Sequence, residues 1–363
     1  MGWSLTIGRI AGTNIRLHFT FILFLIAIAV LDFLSGGAAA AVNAIVFLVL
    51  VFLCVTLHEF GHILIARRFG VKTPEVILSP IGGIANMEKM PENPVEELLV
   101  AIAGPLVNVV IVLALMAGFG LSLTDLPYDN FDKAPLAQQL LLVNVSLVAF
   151  NLVPAFPMDG GRVLRAVLTM FMGPRPATAL ATRIGQGFAF LFVLLGLFYN
   201  PMLMLVGGFI YIAAASEQQN SVFTGFASSL TVLDAMEPAP LTLSAAAPLS
   251  QAVDALLASP QRDFPVIDAA SRVIGFIDRE AMISGLRDHG AEVPVGTIMR
   301  PSQPLSPGQP LVEAYAAMRG RGARAEAVAD LQGRAIGVLT AENIAEMMMI
   351  ESVRPGWHFR KRG

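Results

Sequence analysis

The sequence predicts a polytopic α-helical membrane protein of about six transmembrane helices with a C-terminal α/β cytosolic domain. Three observations lead there. Of the 363 residues, 55% are hydrophobic and 14% charged, with a mean hydropathy of +0.68, too apolar and too sparsely charged for an ordinary soluble chain. The long apolar runs nearly all fall before Gln218, so the polarity shift divides the chain into a membrane-embedded domain, 1–218, and a soluble one, 219–363. The soluble part also repeats itself with a period of about 62 residues. A net charge of -3 without a basic block speaks against a nucleic-acid partner. The single cysteine, Cys54, lies in an apolar run and forms no internal disulfide.

Crossing the hydrocarbon core takes about 20 apolar residues. Six segments qualify, two of them short: 17–34, 42–66, 96–120, 136–156, 184–199 and 201–216. The first follows Arg9 and Arg16 and precedes small residues at 35–40 in the manner of a signal peptide. It is long enough to span, and its removal would leave an odd count, so it reads as retained.

Cytoplasmic loops are enriched in Lys and Arg. Arg9 and Arg16, then Arg67, Arg68, Lys72 and Lys89, then Arg162, Arg165, Arg175 and Arg183 alternate with Arg-free loops at 35–41, 121–135 and 200–201. Both termini are therefore expected in the cytoplasm, with the lipid bilayer as the first partner.

In the soluble part, Val232-Leu-Asp-Ala-Met-Glu-Pro238 recurs as Val295-Gly-Thr-Ile-Met-Arg-Pro301, and the apolar helical pattern after Pro248 recurs after Pro310. Phe264–Asp268 with Val273–Asp278 reads as two strands around a turn, echoed at 325–330 and 335–340. Two copies of strand, helix, strand, strand, helix resemble a tandem CBS pair, with repeat one at about 230–290, repeat two at about 293–350 and a short tail.

The second span carries Leu57-His58-Glu59-Phe60-Gly61-His62. Residues four apart on a helix lie one above the other, so His58 and His62 can aim imidazole nitrogens at one metal ion, and the spacing suits zinc. Glu59 stands beside that point, placed to hold and deprotonate a water whose pKa the metal lowers to about 7. Three ionisable groups at mid-span are expensive and mark a functional site. A third ligand is expected from Asn151-Leu-Val-Pro154-Ala-Phe-Pro157-Met-Asp159-Gly160-Gly161-Arg162. Pro154 and Pro157 break the fourth span there and turn the Asp159 carboxylate inward.

This helix motif, paired about a hundred residues later with the Asn-Pro-Pro-Asp-Gly-Gly segment, resembles the site-2 protease signature, as do Pro80-Ile-Gly82-Gly83-Ile84 and Ala103-Gly104-Pro105-Leu-Val-Asn108. With a C-terminal CBS pair, the chain is similar to the subgroup that includes sporulation sigma-factor processing enzymes. The resemblance implies one zinc ion bound by His58, His62 and Asp159, Glu59 as general base, and Asn151 holding the scissile carbonyl or its oxyanion. It implies membrane-anchored substrates: a pro-sigma factor, an anti-sigma factor or a signal-peptide remnant. Asn144 is expected as a packing amide, Asn108 as support behind the ligands, and Cys54 as a buried core thiol.

A helical substrate hides its carbonyls and must unwind to be cut. Residues 74–86 alternate β-prone runs with turn signals and are expected to form an edge, carrying Gly82 and Gly83, to which an unwound substrate adds a strand. CBS pairs commonly bind adenine nucleotides. Here Thr340-Ala-Glu-Asn343 keeps the hydroxyl of the ribose pattern and ends in Asn, so Thr340 and Asn343 are the nucleotide candidates, against a purely structural role that associates two copies as a homodimer. Two rival readings are a CBS-regulated transporter or channel and an inactive binder of membrane clients. The first explains the buried charges and leaves the zinc-site spacing unexplained; the second has every expected catalytic residue type against it.

Overall fold

The computed structural model describes residues 4–80, 82–86, 91, 93–354, 357 and 359. Ile81, Lys89 and His358 lie outside the described residues. The chain forms two compact units, Met1–Gln219 and Asn220–Gly363.

The first unit opens with a hairpin of β1 (Ser4–Ile10) and β2 (Thr13–His18), followed by α1 (Phe19–Arg68). Phe21 and Phe52 touch within α1, ring centroids 4.2 Å apart, although 31 residues of straight helix would separate them by about 46 Å. Gly37, at φ 75° and ψ -168°, is where the helix folds back, a conformation that glycine adopts at no steric cost. The element therefore contains two antiparallel helical arms. Then come β3 (Glu75–Ser79) and β4 (Gly82–Asn86), α2 (Pro94–Phe119), α3 (Leu136–Asn151), α4 (Asp159–Met172), α5 (Pro174–Phe198) and α6 (Pro201–Ala227).

Among the described residues α1, α2 and α5 are long and apolar enough to cross a membrane. The 16 residues of α3 span about 24 Å, short of the ~30 Å core. The broken segment after Asn151 ends α3 earlier than the predicted 156, and the Arg-bearing stretch at 162–172 is not a loop but the amphipathic α4.

The four strands form one sheet in the order β1-β2-β3-β4. The expected hairpin over 74–86 is present as β3 and β4, paired from Glu75↔Asn86 to Ser79↔Gly82. The parallel pairing of β2 with β3 was not foreseen. An Arg16–Glu75 ion pair of 2.8 Å and a 2.7 Å bond from Thr13 Oγ1 to the Thr73 carbonyl fasten this joint. The inner face, Ile15, Val76 and Leu78, packs on Phe60 and Ile63 of α1, so the sheet sits against the turns that carry His58 and His62.

The second unit contains α7 (Val232–Ala235), β5 (Glu237–Pro238), β6 (Leu243–Ser244), α8 (Leu249–Ala258), β7 (Asp263–Ile267), β8 (Val273–Asp278) and α9 (Arg279–His289). The pattern then recurs in α10 (Val295–Ile298), β9 (Arg300–Pro301), α11 (Leu311–Gly320), β10 (Ala325–Ala329), β11 (Ala335–Thr340) and α12 (Ala341–Val353). The repeats exchange strands: β9 completes the sheet β6-β7-β8-β9, and β5 completes β10-β11-β5. Neither repeat closes its own sheet, which makes the pair one folding unit.

Candidate metal centre

The metal motif lies near the C-terminal end of α1, where the helix faces α2 and the start of α4. His58 Nε2 and His62 Nε2 are 3.1 Å apart, and Asp159 Oδ2 is 3.2 Å from each. All three residues are buried. Four ligands arranged tetrahedrally 2.0–2.1 Å from zinc stand about 3.3 Å from one another, so this triangle fits three corners of that figure. Among the described residues no fourth His, Cys, Asp or Glu joins the group; three protein ligands are the number found in hydrolytic zinc sites, against four in structural ones.

The far side of each imidazole is fixed. His58 Nδ1 donates to Asn108 Oδ1 at 2.5 Å, and His62 Nδ1 donates to the Val100 carbonyl at 2.7 Å. A proton on each Nδ1 leaves each Nε2 with its lone pair directed at the centre. The support extends outward: Asn108 Nδ2 donates to Asn144 Oδ1 at 2.8 Å, and Asn144 Nδ2 donates to the Leu140 carbonyl at 2.8 Å and to Cys54 Sγ at 3.5 Å. Asn108 and Asn144 are both fully buried, where an unpaired amide would be costly. The sequence favours a packing role for Asn144 over a less favoured one as substitute for Asn151. The structure makes it the second link of the chain behind His58. Cys54 is a buried thiol at the end of that chain and lies outside the ligand group.

Glycines let the backbones close in. A β-carbon on Gly104 would stand 2.2 Å from His62 Nε2 and 2.7 Å from His58 Nε2, and one on Gly61 would stand 2.6 Å from the Ala103 carbonyl oxygen. Only bare backbone can pass there, and α2 runs directly against the Nε2 edges of the imidazoles. Asp159 opens α4 after the turns at 152–158. β-Carbons on Gly160 and Gly161 would strike the backbone of Val153 and of Ala155 at 2.3 and 2.6 Å, so this pair lets the broken segment fold back on the first turn of α4 and direct the carboxylate at α1. Arg162 Nη1 stands 3.9 Å from Asp159 Oδ1, on the oxygen that does not face the histidines.

Glu59 is partly buried and lies outside the ligand triangle, next to β4. A β-carbon on Gly83 would come within 2.8 Å of Glu59 Cγ and 3.4 Å of its Oε1, and Gly82 has φ 128°. Both glycines belong to the last strand of the sheet order, whose outer edge has no strand partner among the described residues. Asn151 ends α3, eight residues before Asp159, and is partly buried.

In the second unit a cleft of about 830 Å³ is lined by Arg262, Arg279, Arg300, Arg321 and Arg324, by acids including Asp263 and Asp278, and by Thr340. Thr340 Oγ1 accepts from Asn343 N at 3.0 Å and so caps α12. Asn343 is not among the lining residues; its amide donates to the Ala235 carbonyl at 3.5 Å. Two ion pairs of 3.8 Å, Arg262–Glu342 and Arg324–Glu280, occupy equivalent places in the two repeats. Burial and the neighbouring Asp278 carboxylate push the Asp263 carboxyl up to about 6.

A His-Glu-x-x-His helix, an aspartate delivered by a broken helix and an apolar helical body together define a membrane metallopeptidase. The comparisons agree. The family model described as Peptidase family M50 matches residues 46–134 and 133–196, and the CBS domain model matches residues 232–288. A zinc metalloprotease of Methanocaldococcus jannaschii is 36% identical over 270 residues, 74% of this chain and 76% of that protein. Stage IV sporulation protein FB of Bacillus subtilis is 32% identical over 142 residues, 39% of this chain and 44% of that one. A solved site-2 protease from Methanocaldococcus jannaschii is 38% identical, with a TM-score of 0.44, covering 60% of this chain and 95% of that one. The chain belongs to peptidase family M50, the site-2 proteases, and is a membrane zinc metalloprotease with a CBS region.

Proposed function

We propose that the chain is an endopeptidase that cuts transmembrane segments of membrane-anchored proteins, with zinc held by His58, His62 and Asp159 and with Glu59 as general base. The observation that carries this reading is the triangle of ligand atoms with edges of 3.1 and 3.2 Å, with the Glu59 side chain beside it under β4. Zinc, when bound, supplies a Lewis acid that polarises the scissile carbonyl and acidifies water. Glu59 takes the proton of the attacking water and passes it to the departing amide nitrogen. Asn151 supplies an amide donor to the oxyanion, a role that a fixed dipole fills well where water is excluded.

The free edge of β4 receives the substrate. An unwound segment hydrogen-bonds to the strand holding Gly82 and Gly83, which presents its carbonyl carbon beside Glu59. The absence of a side chain at Gly83 supports this, since any larger residue would displace Glu59. Pro-sigma factors, anti-sigma factors and signal-peptide remnants are the substrate classes. Alternation of Arg-bearing and Arg-free segments, together with the family, supports a multi-pass protein of the bacterial or archaeal cell membrane with both termini in the cytoplasm.

The second unit, Asn220–Gly363, is the regulatory CBS pair. Five arginines around one cleft support recognition of an adenine nucleotide through its phosphates, with Thr340 in the same lining; Asn343, turned toward Ala235, supports the fold of α12.

The test is zinc content of detergent-purified protein together with cleavage of a single-span substrate. Expected are about one zinc per chain in the wild type and in Glu59→Gln, loss of zinc in His58→Ala and Asp159→Asn, and no cleavage by any of the three variants. A Glu59→Gln variant that cuts like the wild type overturns the mechanism.

A further inference from the structure

Six residues after Asp159 on α4, Arg165 reaches three other parts of the first unit. Its Nε donates to Glu97 Oε1 at 2.7 Å, its Nη1 pairs with Glu217, and its guanidinium carbon lies 5.3 Å from the centre of the Phe156 ring. Glu97 belongs to the first turn of α2, Glu217 to α6, and Phe156 to the turns that join Asn151 to Asp159. Arg165 and Glu97 side chains are 15% and 10% exposed, and Phe156 is 2% exposed.

From this placement we infer that Arg165 is a positioning residue for the metal centre: it clasps α4 and the broken segment against α2, and so sets where Asp159 stands relative to the two histidines. Glu97 lies one turn before Val100, whose carbonyl holds His62. The same α2 carries Asn108, which holds His58. The Arg165–Glu97 bond therefore ties the helix of the third ligand to the helix that orients the first two. The Phe156 contact acts on the other side of Asp159, pressing the segment that leads into it. Because Gly160 and Gly161 give the start of α4 its close fit and no side chains of their own, the hold on Asp159 comes from further along the helix.

The chemistry selects arginine. A planar guanidinium offers donors along two edges and a flat face at once, which matches two carboxylates and a ring. A lysine ammonium keeps the charge but reaches one carboxylate well and stacks poorly. Loss of an arm also leaves Glu97 partly unpaired in a buried place.

The inference rests on the zinc reading above, and zinc affinity tests both. Full-length protein in detergent is titrated against a zinc chelator of known affinity, and thermal unfolding is followed in parallel. Arg165→Lys is expected to hold zinc about tenfold to a hundredfold more weakly, the loss typical when support behind a ligand is removed, while its helical content stays that of the wild type. Glu217→Gln, which keeps an acceptor and drops the charge, is expected to weaken zinc about threefold. A purely structural role would lower the unfolding temperature and leave the affinity of the folded protein unchanged, and that result overturns the inference. If Arg165→Lys does not fold, Glu217→Gln decides by the same criterion. A wild type that takes up no zinc overturns both readings, whereas a wild type and an Arg165→Lys variant that bind equally well overturn the clasp alone.

Discussion

His58 Nδ1 donates to Asn108 Oδ1 across 2.5 Å, and Asn108 in turn donates to Asn144. This chain of amides fixes which imidazole nitrogen carries the proton. With Asn108→Ala, His58 can turn or change tautomer, and Asn144 Oδ1 loses its donor. Zinc affinity should fall by about tenfold to a hundredfold, measured by chelator competition, with the fold retained. An unchanged affinity would show that the amides serve packing only.

Gly104 tests the closeness of α2 to the ligands. Gly104→Ala brings a methyl group to within 2.2 Å of His62 Nε2, an overlap that the tightly packed helices relieve only by moving a ligand. Zinc binding and cleavage should both fall at least about tenfold. Gly118→Ala, at a position with open space around it, is the control and should be stable and active. Equal zinc content in the two variants would count against the observed approach of the helices.

The approach of Asp159 to His58 and His62 was legible in the sequence because each part of it has a local signal. Two histidines four apart share a helix face, and Pro154 and Pro157 announce a break that lets Asp159 leave the helical course. The support was harder to read. Asn108 and Asn144 meet across two helices, and nothing in the spacing along either one shows that pairing. β1 and β2 are not evident in the sequence because β2 takes its place by pairing in parallel with β3, which is distant along the chain. The exchange of β5 and β9 between the CBS repeats is invisible for a similar reason: each is two residues long and is defined only by its partner. Arg162 and Arg165 read as loop residues in the sequence but lie on α4, since a helix with one apolar face does not register as a span.

Gly83 separates binding of metal from chemistry. A β-carbon there meets Glu59 Cγ at 2.8 Å, and Glu59 is outside the ligand group. Gly83→Ala should therefore keep wild-type zinc content while kcat for cleavage of a single-span substrate falls by about a hundredfold, a typical share for a displaced general base. Loss of zinc in step with activity would show that β4 supports the ligands rather than Glu59.

Asp263 sits among Asp278, Glu342, Arg262 and Arg300, and its carboxyl is pushed up to about 6 by burial and by Asp278. A carboxyl raised in the folded state holds its proton more tightly folded than unfolded. Its contribution is therefore most favourable below about pH 4 and is lost as the pH rises through about 6. Asp263→Asn removes this titration and should make the second unit more stable than the wild type above about pH 6.5, with the advantage shrinking as the pH falls. Partial exposure limits the gain to about 1 kcal/mol. Hydrogen exchange of the β7 and β8 amides, compared between variant and wild type at pH 5 and pH 7.5, reads the effect. A larger slowing in the variant at the higher pH than at the lower is the expected result; an equal ratio at both would mean that Asp263 ionises in the folded protein as it does in the unfolded chain. The same variant should leave zinc content untouched, because its charge belongs to the cleft of the CBS pair and the ligand group is confined to the first unit.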